Sequence, residues 1–229
     1  MKIGGLQQVS LIDYPGKIGA VIFTRGCNFR CPYCHNPELV DPDRYGPIIP
    51  EESVLSFLDK RRGKLEAVTV TGGEPTLQPD LEKFFEELKK RGYLTKLDTN
   101  GSKPDILEKM ISKRLVDYLA MDIKAPLEKY RQIASVEVDT AKIKKSIALI
   151  MASGIKYEFR TTVARSQLGL QDLVSVAKLI KRARLYVLQP CIPIKTLARP
   201  VLSEIPYTPE EFSIIRATLE KVCPHVIVR

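Results

Sequence analysis

Three cysteines lie within eight residues of one another, at Cys27, Cys31 and Cys34, in a segment that runs from residue 25 to residue 36. Three and then two residues separate them, so their thiolates can converge on one inorganic centre. The spacing suits a cubane iron-sulfur cluster, in which each thiolate binds its own iron and the fourth iron has no protein ligand. Such an open iron can bind a substrate directly. We therefore interpret these cysteines as ligands of a 4Fe-4S cluster.

Three other chemistries fit the same loop. Cys31 and Cys34 have the spacing of a glutaredoxin-type dithiol, and residues 31–35 match the C-x-x-C-H string of covalent haem attachment. Haem attachment of this kind is typical of exported proteins, whereas the first residues of this sequence do not resemble a secretion signal. The three cysteines together with His35 are also suitable ligands for tetrahedral zinc. The loop alone leaves these alternatives open.

A second group with chemical potential is the run Gly72-Gly73-Glu74, which follows an apolar stretch. Paired glycines at the end of a strand let a ligand approach the backbone closely. The carboxylate can accept hydrogen bonds from an ammonium group. Because an ordinary turn between a strand and a helix has the same composition, the run is weak evidence by itself.

Polar and charged residues recur at the ends of three later apolar stretches: Asp98 and Asn100, then Asp122 and Lys124, then Arg160. Alternate residues of a strand share a face, so the members of each pair point the same way. Buried charges are costly unless they are paired. These side chains therefore either pair with one another or hold a charged ligand.

A ligand with an amine, a carboxylate and a nucleoside would use both groups. We expect Glu74 and the backbone of Gly72 and Gly73 to bind the amine. Lys124 or Arg160 would pair with the carboxylate, and the open iron would chelate both groups.

The elements that position these residues follow from the hydrophobic pattern, in which short β-rich runs alternate with segments of helical period. Strands connected through helices run parallel, and their carboxyl ends carry the active site. Six such units predict either a doubly wound open sheet or an incomplete barrel. The predicted strands are 20–24, 67–71, 94–98, 118–123, 156–163 and 185–189, with a short tail strand at 225–228; the predicted helices are about 51–61, 79–91, 104–113, 140–152, 170–182 and 209–222.

Composition limits the setting of the protein. The 229 residues are 44% hydrophobic and 28% charged, as in globular proteins, and no linker divides them, so we expect one domain over residues 1–229. No apolar run approaches the roughly 20 residues needed to cross a bilayer, which predicts a cytoplasmic protein without membrane contact. In that reducing compartment the scattered Cys191 is interpreted as a small buried residue, and Cys223 as a filler of the core or of the surface. The net charge of +9 is spread over most predicted helices, so we expect no nucleic-acid partner.

The sequence resembles the radical S-adenosylmethionine (SAM) superfamily. Its three-cysteine loop after the first strand corresponds to Cys27-x-x-x-Cys31-x-x-Cys34, with Tyr33 at the aromatic position, and its second motif to residues 71–75. Within the superfamily the chain is most similar to the glycyl-radical activating enzymes that serve anaerobic ribonucleoside-triphosphate reductase, through residues 10–17, 26–37, 71–75, 98–101 and 121–124. The resemblance implies an α/β fold, namely a partial (βα)6 barrel of parallel strands of the TIM-barrel-like, radical SAM type.

The resemblance also implies the cofactors and the reaction. A 4Fe-4S cluster on the three cysteines would cleave SAM reductively, and the resulting 5'-deoxyadenosyl radical would take a hydrogen atom from a glycine of the partner, anaerobic ribonucleotide reductase. Flavodoxin or ferredoxin would supply the electron. Asp98, Thr99 and Asp122 are candidates for holding a monovalent cation.

The cofactor-binding residues are expected to be Gly72, Gly73, Glu74, Asp98, Asn100, Asp122, Lys124 and Arg160, while His35 would structure the loop. Two other functions stay open at this point. One is a radical SAM enzyme that acts on a small molecule or peptide, and the other is a non-catalytic metal-binding or electron-carrier module.

Overall fold

The structure of the protein is a computed structural model that describes residues 1–192, 195–198 and 205–229. Eight strands form one sheet in the order in which they occur along the chain. The first pair is antiparallel, and every later pair is parallel. The strands are β1 (Ile3–Ser10), β2 (Gly19–Thr24), β3 (Ala67–Gly72), β4 (Leu94–Thr99), β5 (Tyr118–Asp122), β6 (Lys156–Val163), β7 (Tyr186–Pro190) and β8 (Val226–Val228).

The predicted partial barrel is confirmed. The six predicted strands correspond to β2–β7, and their sequential order excludes a doubly wound sheet, whose strand order reverses at a switch point. The tail strand is also present, as β8. The antiparallel edge strand β1 was not predicted. In the described part of the chain β1 and β8 each have one neighbour, so the sheet is open.

Eight helices accompany the sheet in the described residues. The six predicted ones are present, with ends that differ by up to three residues. Two short helices, α1 and α5, were not predicted, and α1 lies in the segment that follows the cysteines. The helices are α1 (Pro37–Val40), α2 (Glu51–Lys60), α3 (Leu81–Lys90), α4 (Pro104–Ser112), α5 (Tyr130–Ala134), α6 (Thr140–Ala152), α7 (Leu170–Leu179) and α8 (Pro209–Glu220). None of the described helices is long and apolar enough to cross a membrane.

The two faces of the sheet differ in chemistry because side chains alternate along each strand. Val70 of β3 and Leu97 of β4 belong to the hydrophobic core, together with Phe84 of α3. The intervening side chains face the inside of the incomplete barrel, and they include the fully buried Thr69 and Lys96. The helices therefore cover an apolar face, and the barrel interior is left polar.

An apolar cluster closes the amino-terminal end of the barrel. Tyr14, from the turn between β1 and β2, packs against Tyr118 with the two ring centroids 5.8 Å apart. Ala67 and Leu94 complete the cluster. The polar interior is therefore accessible from the carboxyl ends of the parallel strands.

Candidate cofactor site

One cavity at the carboxyl ends of the parallel strands brings the predicted site residues together. All three cysteines and all eight residues predicted to bind cofactor line it. The lining also includes His35 and Thr99. These residues lie at or near the ends of five different strands. They come together because the sheet curves into an incomplete barrel.

The cysteine loop is held by hydrogen bonds to its own backbone and to α5. Arg30 donates from its guanidinium to the carbonyl of Cys27 at 2.7 Å, and its main-chain N–H donates to the carbonyl of Ala134 at 2.8 Å. The N–H of Cys34 donates to the carbonyl of Cys31 at 3.0 Å. Cys31 is buried, whereas Cys27 and Cys34 are partly exposed.

The protonation behaviour of these thiols argues against a reactive dithiol. Burial raises the pKa of Cys31 to about 11, and it also raises the pKa of Cys34, the second thiol of the candidate dithiol. A catalytic dithiol needs a lowered thiol pKa. A metal instead displaces the thiol protons when it binds, so the buried thiols suit a metal centre better than thiol exchange.

The glycines after β3 make room for the cysteine loop. A Cβ atom added at Gly73 would lie 2.1 Å from the carbonyl oxygen of Gly26, and Gly72 adopts a φ of +109°. The N–H of Glu74 donates to that same Gly26 carbonyl at 2.8 Å. The turn after β3 and the cysteine loop therefore pack backbone against backbone, which is a structural need for glycine that the sequence interpretation did not include.

The Glu74 carboxylate is buried, and groups of the protein supply its hydrogen bonds. Oε1 accepts from the N–H of Thr76 at 3.0 Å and from the hydroxyl of Thr99 at 2.8 Å, while Oε2 accepts from the N–H of Asn100 at 2.6 Å. Burial raises the pKa of this carboxyl, against the lowering effect of these donors. Glu74 thus connects the turn after β3 to the turn after β4, and its predicted contact with a ligand amine stays a prediction.

Asn100 extends the connection to the cysteine loop. Its side-chain amide donates to Asn28 Oδ1 at 2.9 Å, and Asn28 Nδ2 donates to Ser102 Oγ at 2.9 Å. Asn28 was not singled out in the sequence, because an asparagine in a loop carries no pattern of its own. The turns after β2, β3 and β4 therefore form one hydrogen-bonded unit.

The charged residues pair with one another inside the barrel. Arg160 donates to Asp98 Oδ2 at 2.9 Å and to Asp122 Oδ1 at 2.8 Å. Lys124 donates to Asp122 Oδ2 at 3.0 Å. Burial alone would raise the pKa of Asp98 and Asp122, but the neighbouring cations outweigh it and hold both pKa values below the usual range.

Lys96 is a cation of this network that the sequence interpretation missed. It is 2% exposed, and its ammonium donates to Asp98 Oδ1 at 2.5 Å. Its position two residues before Asp98, on the same face of β4, was the available signal.

His35 and Cys191 occupy different surroundings. His35 Nε2 lies 3.0 Å from the carbonyl oxygen of Ile192, so the loop after β7 contacts the cysteine loop. The N–H of Ala198 reaches the same loop, donating to the carbonyl of Pro32 at 2.9 Å. Cys191 is buried and belongs to the hydrophobic core.

A family profile identifies the family of this chain. The profile of the radical SAM superfamily matches residues 21–185, more than half of the chain, and this span contains every predicted site residue. The chain belongs to the radical SAM superfamily. Enzymes of this superfamily use a 4Fe-4S cluster and SAM, and these are the cofactors of this radical SAM enzyme. Of the four chemistries that the loop left open, the superfamily uses the cluster, and the assignment of that cluster to the three cysteines stays a prediction.

Two curated relatives and one solved structure are similar to this radical SAM enzyme. A protein of Methanocaldococcus jannaschii, named as a candidate glycyl-radical enzyme activating enzyme, is 35% identical over 192 residues, which are 82% of this chain and 78% of the relative. Pyruvate formate-lyase-activating enzyme of Staphylococcus aureus is 41% identical over 106 residues, which are 42% of this chain and 40% of that enzyme. SuiB of Streptococcus suis, solved with S-adenosylmethionine bound, has a TM-score of 0.67 at 12% identity and covers 89% of this chain and 48% of its own. The likeness to SuiB shows the fold alone.

The residues of this radical SAM enzyme fit the two cofactors. The donor set offers three thiols that line the cavity, and Lys124 lowers the pKa of each of them against the larger, opposite effect of burial. Lys124 and Arg160 line the same cavity and can pair with an anionic group. The site thus combines soft sulfur ligands for iron with cations for a carboxylate.

Proposed function

We propose that this chain is a glycyl-radical activating enzyme that holds its 4Fe-4S cluster on Cys27, Cys31 and Cys34. The observation that carries the proposal is the single cavity in which three thiols meet the charged residues of four strand ends. When bound, the cluster and SAM supply a 5'-deoxyadenosyl radical through reductive cleavage of the cofactor. The whole of residues 1–229 would act as one catalytic domain.

The residues of the chain would bind and orient SAM. Because the Glu74 oxygens already accept hydrogen bonds from Thr76, Thr99 and Asn100, the backbone of Gly72 and Gly73 is the better partner for the amine. The ammonium of Lys124 can donate three hydrogen bonds, and Asp122 accepts one of them. Lys124 is therefore the better partner for the carboxylate, while Arg160 holds the two aspartates.

The partner would be a glycyl-radical enzyme, specifically anaerobic ribonucleotide reductase. The name of the relative from M. jannaschii supports the class of partner, and the resemblance over residues 10–17 and 26–37 supports the reductase. The sheet is open between β1 and β8 in the described residues, so an extended segment of the partner could reach the cavity. The net charge of +9 would favour an acidic electron donor such as flavodoxin or ferredoxin, and the reaction would take place in the cytoplasm.

The test uses anaerobically reconstituted protein with a chemical reductant. We expect roughly four irons per chain, as a cubane requires, and release of 5'-deoxyadenosine from SAM. Incubation with the reductase polypeptide should then give the electron paramagnetic resonance signal of a glycine-centred radical. Pyruvate formate-lyase polypeptide is tested in parallel as a second glycyl-radical enzyme, because the S. aureus relative is named as the enzyme that activates it.

The outcomes separate the alternative functions. Deoxyadenosine release without a glycyl radical on either polypeptide would favour an enzyme that acts on a small molecule or peptide. A stable cluster without any cleavage of SAM would favour an electron-carrier module and would contradict the proposal.

A further inference from the structure

The oxygens expected to hold a monovalent cation are already bonded to groups of the chain. Asp98 accepts from Lys96 on one oxygen and from Arg160 on the other, at 2.5 Å and 2.9 Å. Asp122 accepts from Arg160 and Lys124, at 2.8 Å and 3.0 Å. All four carboxylate oxygens therefore face a side-chain cation.

The remaining candidate ligand, Thr99, is also engaged. Its hydroxyl donates to Glu74 Oε1 at 2.8 Å and accepts from the N–H of Gly101 at 3.1 Å. A small cation needs several oxygen atoms that are free to converge on it. Since these oxygens instead point at nitrogen donors, the site does not fit a monovalent cation.

The charges around Asp98 and Asp122 also disfavour a bound cation. Lys96, Lys124, Arg160 and Arg229 place four positive charges against the three carboxylates of Asp98, Asp122 and Glu158. An added cation at these oxygens would meet like charges at short range in a poorly solvated interior, where they repel strongly.

The side chain of Lys96 is confined rather than mobile. Its side chain is 2% exposed and is confined between Asp98 and the Tyr118 ring, whose centroid lies 5.9 Å from the ammonium. Tyr118 belongs to the apolar cluster that closes the barrel. An ammonium group is a compact point charge, with the single charge that K⁺ carries.

We infer that Lys96 is a positioning residue whose ammonium takes the place of the monovalent cation at Asp98, so that SAM binding by this chain needs neither K⁺ nor Na⁺. The inference rests on the proposed function in that it assumes SAM binds in this cavity. Lys96 would hold Asp98 in place, and Asp98 in turn would fix Arg160 above Asp122.

The experiment measures SAM affinity of the reconstituted enzyme by equilibrium dialysis, in choline chloride and in KCl of equal ionic strength. For the wild type we expect the same Kd in both salts. For Lys96→Ala we expect weaker binding in choline chloride by about tenfold, a coupling typical of neighbouring buried groups. Addition of KCl or NH₄Cl should restore most of that loss, because a small cation can then enter the space left by the ammonium. Lys113→Ala, which alters an exposed lysine paired with Glu82, is the matched control and should bind as the wild type does in both salts.

Two results would overturn the inference: a wild type that binds SAM more tightly in KCl than in choline chloride, or a Lys96→Ala variant that binds as the wild type does in choline chloride. Thermal unfolding in the two salts gives a second readout that does not need SAM, and only the variant should be stabilised by KCl. Should Lys96→Ala fail to fold, the wild-type comparison still decides. Because no readout involves a glycyl radical, an enzyme that bound SAM and failed to activate the reductase would contradict the proposed function and leave the role of Lys96 supported.

Discussion

The main-chain N–H of Asn100 donates to Glu74 Oε2 over 2.6 Å, which fastens the turn after β4 to the turn after β3. The hydroxyl of Thr99 strengthens the same junction through Glu74 Oε1. A buried carboxylate that receives several donors acts as a rigid connector, since each donor would otherwise lose its partner in a site without bulk water. The two turns line the cavity, so the geometry of the cofactor site depends on this carboxylate.

Replacing Glu74 by glutamine should therefore destabilise the protein. One carboxylate oxygen becomes an amide donor, which leaves Asn100 N–H or the threonine hydroxyls facing another donor. An unsatisfied buried donor costs about 1–3 kcal/mol, and each kcal/mol lowers the Tm of a chain of this size by about 2–4 °C. Differential scanning calorimetry measures the change. Glu82→Gln, at a partly exposed position of α3 where the glutamate pairs with Lys113, is the control and should shift Tm by no more than about 1 °C. An equal Tm for Glu74→Gln and wild type would show that the junction does not depend on two accepting oxygens.

Gly73→Ala should disturb the cysteine loop without replacing any of the three cysteines. The new Cβ would lie 2.1 Å from the Gly26 carbonyl oxygen, and backbone atoms on both sides cannot relax cheaply. Overpacking of this kind costs about 1–3 kcal/mol, and we expect the reconstituted variant to hold less iron than the wild type. Gly46→Ala is the matched control because nothing lies within 4 Å of its added Cβ. Normal iron content and normal stability in Gly73→Ala would contradict the close packing of the two loops.

The cluster assignment predicts a clear division among the five cysteines. Alanine at Cys27, Cys31 or Cys34 should prevent assembly of the cubane, because each thiolate holds a separate iron. Alanine at Cys191 or Cys223, which belong to the hydrophobic core, should lower stability and leave the iron content at roughly four per chain. Iron and sulfide analysis of anaerobically reconstituted protein measures this division. A variant of the loop that kept full iron would remove that cysteine from the ligand set.

The sequence was sufficient for the central strands and for the chemistry at their ends. Buried parallel strands read as short apolar runs, and the runs at 67–71 and 94–98 match β3 and β4 closely. The edge strand β1 was not predicted because Gly4 and Gly5 interrupt it and residues 7–9 are polar or exposed. Such a strand is specified by its neighbour β2 rather than by its own composition.

The partners of each side chain within the site could not be predicted. Neighbouring strands bring Arg160 beside Asp122, but the reach of its guanidinium to Asp98 depends on the curvature of the whole sheet. The same curvature brings the Asn100 backbone to Glu74. Residue types and spacing thus predict which side chains gather at one end of a sheet, whereas tertiary geometry decides which of them pair.

The pairing of Asp98 also predicts a dependence of stability on pH. Burial would raise the pKa of this carboxyl, but Arg160 and Lys96 outweigh it and lower the pKa in the folded state. Because the pKa of Asp98 is lower in the folded state than in the unfolded state, its ionised form stabilises the fold. This stabilisation is fully present above the unfolded pKa of about 3.9 and is lost as the pH falls through the folded pKa. Asp98→Asn, which removes the charge at every pH, should lower the free energy of unfolding at pH 7 by about 3–5 kcal/mol because it leaves buried cations uncompensated.

Anaerobic urea titrations from pH 7 to pH 3 measure the difference between wild type and Asp98→Asn. We expect that difference to stay constant down to about pH 4–5 and to shrink below it, because protonated Asp98 resembles asparagine. Asp43→Asn, at an exposed position, should differ from the wild type by no more than about 0.5 kcal/mol throughout. A difference between wild type and Asp98→Asn that is as large at pH 3 as at pH 7 would mean that the charge of Asp98, and hence its ion pairs with Arg160 and Lys96, does not stabilise the barrel.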